Sequence, residues 1–169
     1  MSIAVAFSLL LAAAAAESPC RQHAQGKALD FWLGDWRVTS EDGAAHFGDN
    51  LIEVAAGGCA LIERWASVDG GVGVSLFSFD ARRGRWDQVW VTSDTSRTGG
   101  LKRKSQIEPV GGGVRFQGEL ISDSGAPYLD RTTLTPLADG RVLQRIEIST
   151  DGGKSWRAAF EGYYQRTAE

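Results

Sequence analysis

Turn signals centred on glycine divide this sequence into short segments and so limit the folds that are open to it. Asp-Gly pairs stand at residues 42–43, 69–70, 139–140 and 151–152, and both residue types tolerate the positive φ angles of tight hairpin turns. Between such breaks lie runs of Val, Ile, Thr, Phe, Tyr and Trp, which are typical of β-strands. Because no window between these turns shows a helical stripe, the pattern predicts antiparallel hairpins in series.

The segments between the turns predict ten strands. We place them near residues 35–40, 48–55, 59–67, 72–79, 85–92, 100–107, 113–121, 128–136, 141–149 and 155–166. A meander of this length most readily avoids exposed edges by closing on itself. The predicted fold class is therefore all-β, an antiparallel up-and-down barrel of about ten strands, with a β-sandwich as the alternative.

The first sixteen residues have the composition of a signal peptide. Ile3 to Ala16 is an uncharged apolar run, shorter than the about 20 residues that span a bilayer, and its final alanines suit cleavage before Glu17. A buried helix is the alternative, since the n-region lacks Lys and Arg. We expect residues 1–16 to be removed on export, residues 17–28 to form an N-terminal segment, and residues 29–166 to form one barrel domain in a secreted or periplasmic protein.

The only two cysteines of the chain are Cys20 and Cys59. In an exported protein an even pair most simply forms one disulfide, and two free thiols are the alternative. Closing a loop of about 40 residues would stabilise the fold by roughly 4 kcal/mol in the chain-entropy model. The bridge would tie the N-terminal segment to a strand near Cys59.

Much aromatic mass is concentrated just before the first predicted strand, in the stretch LDFWLGDWRV. Residues 25–33, QGKALDFWL, predict a short helix or plug, because their large apolar residues recur at helical spacing. We expect Phe-Trp-Leu at 31–33 to cap one end of the barrel. Gly34 would let the chain turn sharply, and Trp36 would begin the first strand facing inward.

Four segments carry a resemblance to a known family: FWLGDWRV, GGCALIERW, GRWDQVWV and STDGGKSWRAAFEGYYQR. Together they resemble a family of uncharacterised bacterial secreted proteins with calycin-like (lipocalin-like) barrels, over about residues 20–166. Lipocalins also begin with a Gly-x-Trp that closes one end of the barrel, and residues 34–36 fit that pattern. The resemblance implies a fold and an exported location, and it implies no particular activity.

A more distant similarity is to the nitrobindin type, which holds haem in a ten-stranded barrel. Its Gly-x-Trp-x-Gly-x-Gly signature is missing, because Gly34 and Trp36 are followed by Val38 and not by glycine. The sequence therefore disfavours haem. The two histidines, His23 and His46, have no neighbours at the spacing of a metal site, so we expect neither a metal nor another cofactor.

Alternation along a strand decides which side chains share the barrel interior. The faces of interest carry Leu61, Glu63 and Trp65 in one segment and Trp86, Gln88 and Trp90 in another. Mixed aromatic and polar residues suit a lined cavity, whereas filled small barrels usually show plain aliphatic residues there. These faces therefore favour a lined cavity over a dry core, and a filled barrel stays open as the alternative.

Glu63 is the residue in this interior that most needs a partner. An unpaired buried carboxylate is costly or stays protonated. Arg131 is our candidate partner, with Arg145 and Arg166 as alternatives, and we expect Tyr164 to face inward from the last strand. Such a Glu–Arg pair would orient a polar ligand head; the alternative is an ion pair or surface charges without a ligand.

Two further motifs are given structural interpretations. The basic stretches GGLKRK and ARRGR lie beside predicted turns, and we interpret them as exposed hairpin tips. In STDGGKSW, residues 149–156, we expect Asp151 to order the turn by bonding its backbone amides and Trp156 to pack against it.

These observations favour a secreted barrel that binds a small, largely apolar molecule. The predicted ligand-binding residues are Trp36, Glu63, Trp65, Gln88, Trp90, Arg131 and Tyr164. One alternative is an enzyme in the same cavity, with Glu63 as acid or base; another is a filled barrel that acts through its surface. The net charge of −3 argues against a nucleic-acid partner, and no membrane partner is expected after signal cleavage.

Overall fold

The barrel is closed by hydrogen bonding between its first and last strands. The computed structural model describes residues 17–96 and 98–167, and within them ten antiparallel strands follow one another in chain order. They are β1 (Gly34–Thr39), β2 (His46–Ala55), β3 (Ala60–Ser67), β4 (Val72–Asp80), β5 (Arg85–Thr92), β6 (Leu101–Val110), β7 (Gly113–Ile121), β8 (Pro127–Pro136), β9 (Val142–Ser149) and β10 (Arg157–Arg166). The predicted fold class is confirmed, and each strand lies within a few residues of its predicted position.

Turn glycines explain why the strand boundaries were predictable. The glycines of the four Asp-Gly pairs, Gly43, Gly70, Gly140 and Gly152, all have positive φ angles, between 73° and 88°. Residues with a Cβ rarely adopt this backbone region. The positions of these pairs therefore fix where hairpins turn, and the strands fill the intervals.

One end of the barrel, which we call the closed end, is covered by the N-terminal segment. This segment consists of α1 (Pro19–Gln22) and two 3₁₀ turns, Ala24–Lys27 and Asp30–Trp32. The prediction of a single helix over residues 25–33 is wrong, because Leu29 at φ −103° and ψ 5° interrupts it. A 3₁₀ turn places residues three apart on one side, and Leu29 and Trp32 are both fully buried.

Aromatic rings fill the closed end. Trp36 has no exposed surface, and its Nε1 donates to the carbonyl oxygen of Trp32 at 2.8 Å. The Trp32 ring meets Phe77 and Tyr164 edge to face, at centroid distances of 5.5 and 5.9 Å. Gly34, at φ +125°, makes the sharp turn into β1. The predicted plug and the inward Trp36 are confirmed.

A disulfide between Cys20 and Cys59 fastens this plug to the start of β3, as predicted. Within the plug, Arg21 forms an ion pair with Asp30, whose two hydrogen bonds are both 2.6 Å long. The predicted signal peptide, residues 1–16, lies outside the described residues. No helix within the described ranges is long and apolar enough to cross a bilayer.

The hairpin between β9 and β10 lies at the opposite end, which we call the open end and which carries the turns after β1, β3, β5, β7 and β9. Asp151 accepts hydrogen bonds from the backbone N–H and hydroxyl of Ser155, at 3.0 and 2.6 Å. Trp156 Nε1 donates to the carbonyl oxygen of Gly153 at 3.0 Å. The predicted roles of Asp151 and Trp156 as turn-forming residues are confirmed.

Candidate functional site

A cavity of about 350 Å³ occupies the half of the barrel nearer the open end. Inward-facing side chains of β3, β5, β6, β8, β9 and β10 line it. Its apolar wall consists of Trp65, Trp90, Ile146 and Phe160. The polar residues lie on the remaining wall and toward the plug, so the cavity has an apolar and a polar side.

Two tryptophans at the open end pack against glycines on the neighbouring strands. A Cβ at Gly48 would lie 2.7 Å from the Trp65 ring, and one at Gly73 would overlap the Trp90 ring. Each indole therefore lies directly on backbone that any side chain at the glycine position would cover. Both rings remain partly exposed and form part of the cavity wall.

Glu63 anchors a hydrogen-bonded chain across the polar side. The residue is only 4% exposed. Its Oε1 accepts a hydrogen bond from Asn50 Nδ2 at 2.8 Å, and its Oε2 accepts one from the Ser75 hydroxyl at 2.6 Å. Gln88 Nε2 donates to the same Ser75 oxygen at 3.0 Å. The chain thus connects Glu63 on β3 with Gln88 on β5 through one serine of β4.

Tyr164 extends this network to the last two strands. Its hydroxyl accepts from Asn50 Nδ2 at 3.1 Å and donates to Gln144 Oε1 at 3.0 Å. Burial raises the pKa of Tyr164 well above its usual value, and the nearby Glu63 adds to the effect. Tyr164 is therefore a neutral donor at physiological pH.

Burial also decides the protonation of Glu63. It raises the pKa of the carboxyl group, while hydrogen bonds from Ser75 and Asn50 and the charge of Lys104 act in the opposite direction. The partners that hold Glu63 through hydrogen bonds are neutral, and the charged group that influences it is a lysine of β6. The cavity thus contains a carboxyl group that ionises less readily than one in water.

A second polar cluster joins β6 to β8. Lys104 Nζ donates to Asp130 Oδ1 and to the Thr132 hydroxyl, and Lys102 Nζ donates to Asp130 Oδ2 at 2.9 Å. Burial lowers the pKa of Lys104 to about 8, although the attraction of Asp130 opposes this. Burial would raise the pKa of Asp130, but the two ammonium groups outweigh it and hold that pKa below its usual value.

A second hollow adjoins the first. It measures about 580 Å³ and shares Lys102, Ile146 and Ala159 with the cavity, while Tyr128 and Arg157 lie farther along its wall. The three shared residues form a common wall between the cavity and the hollow. The adjoining hollow lies on the side of the open end, where Ser122 and Thr150 line it.

The structure brings five of the seven predicted ligand-binding residues to the cavity: Glu63, Trp65, Gln88, Trp90 and Tyr164. Trp36 is not among the lining residues; it is packed in the closed end, where Arg166 covers its ring at 4.4 Å. Including Trp36 in the cavity was wrong, because the N-terminal plug fills the space beside it.

The predicted pairing of Glu63 with Arg131 is also wrong. Asp130 and Thr132 point inward, so Arg131 between them points outward, where its Nε donates to Glu147 at 2.7 Å. Its guanidinium lies over the Trp156 ring at 3.8 Å. The two alternative partners of Glu63 are wrong as well. Arg145 pairs with Glu161 on the outer wall, and Arg166 lies at the closed end.

Sequence reasoning missed the interior lysines. GGLKRK was interpreted as an exposed tip, yet Lys102 and Lys104 face inward while Leu101 and Arg103 are exposed. The signal was the alternation itself, because Gln106 continues the inward face. The stretch was interpreted as an exposed tip because it begins beside a predicted turn, and the alternation of its side chains was not considered.

Comparisons with known proteins leave the site to be interpreted from its geometry. The sequence matches no protein-family model, and no curated protein is detectably similar to it. Among the described residues, no three His, Cys, Asp or Glu side chains are grouped so that they could hold a metal ion.

Proposed function

We propose that this protein is a secreted or periplasmic binding protein of calycin-like (lipocalin-like) type, which holds a small, largely apolar molecule inside its barrel. The observation that carries the proposal is the cavity of about 350 Å³ with an aromatic wall and a hydrogen-bonded polar side. Small-molecule sites typically measure about 300–1,000 Å³ and combine apolar walls with a few placed polar groups.

The apolar wall supplies the affinity in this proposal. Trp65 and Trp90 each present a large rigid surface, and burial of apolar surface is the main favourable term in such binding. Both rings lie close against the backbone of Gly48 and Gly73, and the proposal takes them to be in place before a ligand enters. Preorganised walls of this kind bind more tightly than walls that must first be ordered.

The polar side supplies orientation. Gln88, Lys104, Thr132 and Tyr164 line the polar side of the cavity. Their rotamers are restricted by hydrogen bonds of Gln88 to Ser75, of Lys104 to Thr132 and of Tyr164 to Gln144. A ligand with one polar group and an apolar body would therefore enter with the polar group first. Such a ligand would place its polar group on the polar side of the cavity and its apolar body on the apolar side.

The exported location is part of the proposal. It is supported by the apolar run at residues 1–16 and by the Cys20–Cys59 disulfide, because disulfides persist mainly in oxidising compartments. Detection of the mature chain, beginning at Glu17, in the periplasmic or culture fraction would test this point directly.

The test of binding is a titration of the purified protein, followed by tryptophan fluorescence and native mass spectrometry, with decan-1-ol as an apolar probe. We expect Trp65→Ala and Trp90→Ala each to weaken binding by about tenfold, as for aromatic residues at the centre of a site. Trp156→Phe is the matched control, since Trp156 packs on the outer wall. Equal affinities in all four proteins would contradict the cavity assignment.

An enzyme in the same cavity is the second candidate. It is favoured by the opposed effects of burial on Glu63, whose pKa rises, and on Lys104, whose pKa falls to about 8, because acid–base groups work best near neutral pH. Against it, both Glu63 oxygens already accept hydrogen bonds from Asn50 and Ser75. Any turnover that survives Glu63→Gln at the wild-type rate would exclude Glu63 as its acid or base.

A further inference from the structure

Building on the proposed function, we infer the chemical class of the ligand: an amphipathic monocarboxylate, whose carboxylate is held by Lys104 and Lys102 and whose apolar tail lies along Trp65 and Trp90. The inference rests on the charge balance of the cavity, on the free donors of its lysines and on the placement of its apolar wall.

The cavity has one more positive than negative group in its second polar cluster. Lys102 and Lys104 share a single carboxylate, that of Asp130. Its Oδ2 pairs with Lys102 and its Oδ1 pairs with Lys104. Asp130 is 1% exposed and the Lys104 side chain 4%, so water screens this cluster weakly. Among the described residues, the two ammonium groups therefore share one directly paired carboxylate, and one positive charge has no carboxylate of its own.

Glu63 does not supply that counter-ion. It takes no direct ion pair; its two oxygens are held by the neutral donors of Asn50 and Ser75. Its burial also favours the neutral carboxylic acid. In the part of the chain that the structure describes, Asp130 is therefore the one carboxylate that pairs directly with the two lysines.

The lysines also have hydrogen-bonding capacity left. An ammonium group has three donors; within the described ranges Lys104 uses two of them, on Asp130 and Thr132, and Lys102 uses one, on Asp130. Both side chains belong to the cavity wall. A carboxylate placed between them would accept charge-assisted hydrogen bonds, which are about twice as strong as neutral ones.

The same charge balance excludes other head groups. An amine would meet two ammonium groups, and the oxygens of both nearby carboxyl groups, Asp130 and Glu63, already accept hydrogen bonds. A phosphate dianion would exceed the single positive charge available and would leave the second negative charge buried, which is costly. A single negative charge is the one that neutralises the cluster.

The apolar wall determines where the tail goes. Trp65, Trp90 and Phe160 lie at the open end, and Ile146 separates the cavity from the adjoining hollow. A carboxylate bound at Lys104 therefore directs its tail toward the tryptophans and the open end. The plug closes the other direction, since Trp32 and Trp36 are fully buried there.

The experiment compares head groups on one tail: decanoate, decan-1-ol, decylamine and decyl phosphate, each titrated below its micelle concentration at pH 7. We expect decanoate to bind about 10- to 100-fold more tightly than decan-1-ol, the gain of a buried charge-assisted contact. Decylamine and decyl phosphate should bind more weakly than decanoate. Decylamine or decyl phosphate binding as tightly as decanoate would overturn the inference.

Variants identify the group responsible. Lys102→Met leaves the Lys104–Asp130 pair neutral, so the preference for decanoate over decan-1-ol should fall to within about threefold, with decan-1-ol affinity unchanged. Lys104→Met should act likewise; if it fails to fold, Lys102→Met still decides, because that side chain is 26% exposed. Lys27→Met at the closed end, where Lys27 pairs with Glu17, is the matched control and should keep the preference.

The outcomes separate the two proposals. If decan-1-ol and decanoate bind equally and Trp90→Ala weakens both, the binding function stands and the carboxylate inference fails. If none of the four probes binds, both proposals fail. If decanoate is preferred but Lys102→Met and Lys104→Met keep the preference, the lysines are not its origin and the inference is overturned.

Discussion

The two ends of the barrel are built from similar residues in opposite ways. At the closed end Trp32 and Trp36 are fully buried, and a disulfide holds the plug over them. At the open end Trp65 and Trp90 are partly exposed and lie against Gly48 and Gly73 beside a cavity. The same side chain therefore fills space at one end and lines it at the other.

This difference separates stability from binding within one small domain. The closed end gains from tight packing, whereas the half toward the open end keeps buried polar groups such as Glu63, Lys104 and Asp130, which are costly without a ligand. Sites built for binding are commonly less stable than the scaffold that carries them. Substitutions at the closed end should accordingly change stability alone, and those around the cavity should change both properties.

The largest effect should come from Trp36→Ala. Removing a fully buried indole and its hydrogen bond to Trp32 leaves a cavity, so the free energy of unfolding should fall by roughly 3–5 kcal/mol. Urea denaturation measures it. Trp65→Ala, at a partly exposed ring, is the comparison and should cost about 1 kcal/mol. A loss below about 1 kcal/mol in Trp36→Ala would remove the distinction between the ends.

The disulfide offers the next largest effect. The double variant Cys20→Ser/Cys59→Ser frees the unfolded chain from a closed loop with a sequence separation of 39, so stability should fall by about 2–4 kcal/mol. Decanoate affinity should stay within about twofold, because the bridge lies at the far end from the cavity. An unchanged unfolding midpoint, or a large loss of affinity, would show that the ends are coupled.

The fold could be predicted because its determinants are local. Turn glycines such as Gly70 and Gly140 adopt backbone angles that other residues avoid, and the strands between them alternate. The disulfide followed from there being only Cys20 and Cys59. The inward placement of Glu63 and Trp90 followed from strand period alone.

The partners of the interior residues could not be predicted in the same way. Glu63 accepts a hydrogen bond from Asn50 of the preceding strand, and Asn50 also donates to Tyr164 of the last strand. No local rule names a residue 114 positions from Asn50 as part of this network. Arg131 was chosen as a cation on a promising strand, but the face it occupies depends on a one-residue shift in alternation. Lys104 was overlooked because its segment was interpreted as a hairpin tip beside a turn.

The third prediction concerns the packing of the Trp90 ring against Gly73. Gly73→Ala places a Cβ inside the Trp90 ring, so the ring must swing away. We expect a loss of about 1–3 kcal/mol, typical of overpacking, together with weaker binding of decanoate. Gly71→Ala is the control, because a Cβ there meets its nearest neighbour, Asp69, at 3.4 Å and should change stability by less than about 0.5 kcal/mol. Equal effects of the two substitutions would show that Trp90 is free to move.

The smallest effect, and the one of opposite sign, should come from Glu63→Gln. Because the folded-state pKa of Glu63 is raised by burial, the folded protein retains a proton that the unfolded chain releases at lower pH. Stability therefore falls as pH rises between the unfolded and the folded pKa, by about 1.4 kcal/mol for each unit that separates them. Glutamine carries no such proton and can still accept from Asn50 and donate to Ser75.

We therefore expect Glu63→Gln to be more stable than the wild type at pH 8, on the order of 1 kcal/mol, and to lose this advantage below about pH 4. Glu147→Gln on the outer wall is the control of opposite sign. The hydrogen bond from Arg131 lowers the pKa of Glu147, so its charge stabilises the fold above the unfolded pKa, and the variant should be slightly less stable at pH 8. The contradicting outcome is that both variants shift stability in the same direction across pH 4–8. The charge of Glu63 would then not oppose folding, and this buried carboxyl group would not make the cavity less stable than the closed end.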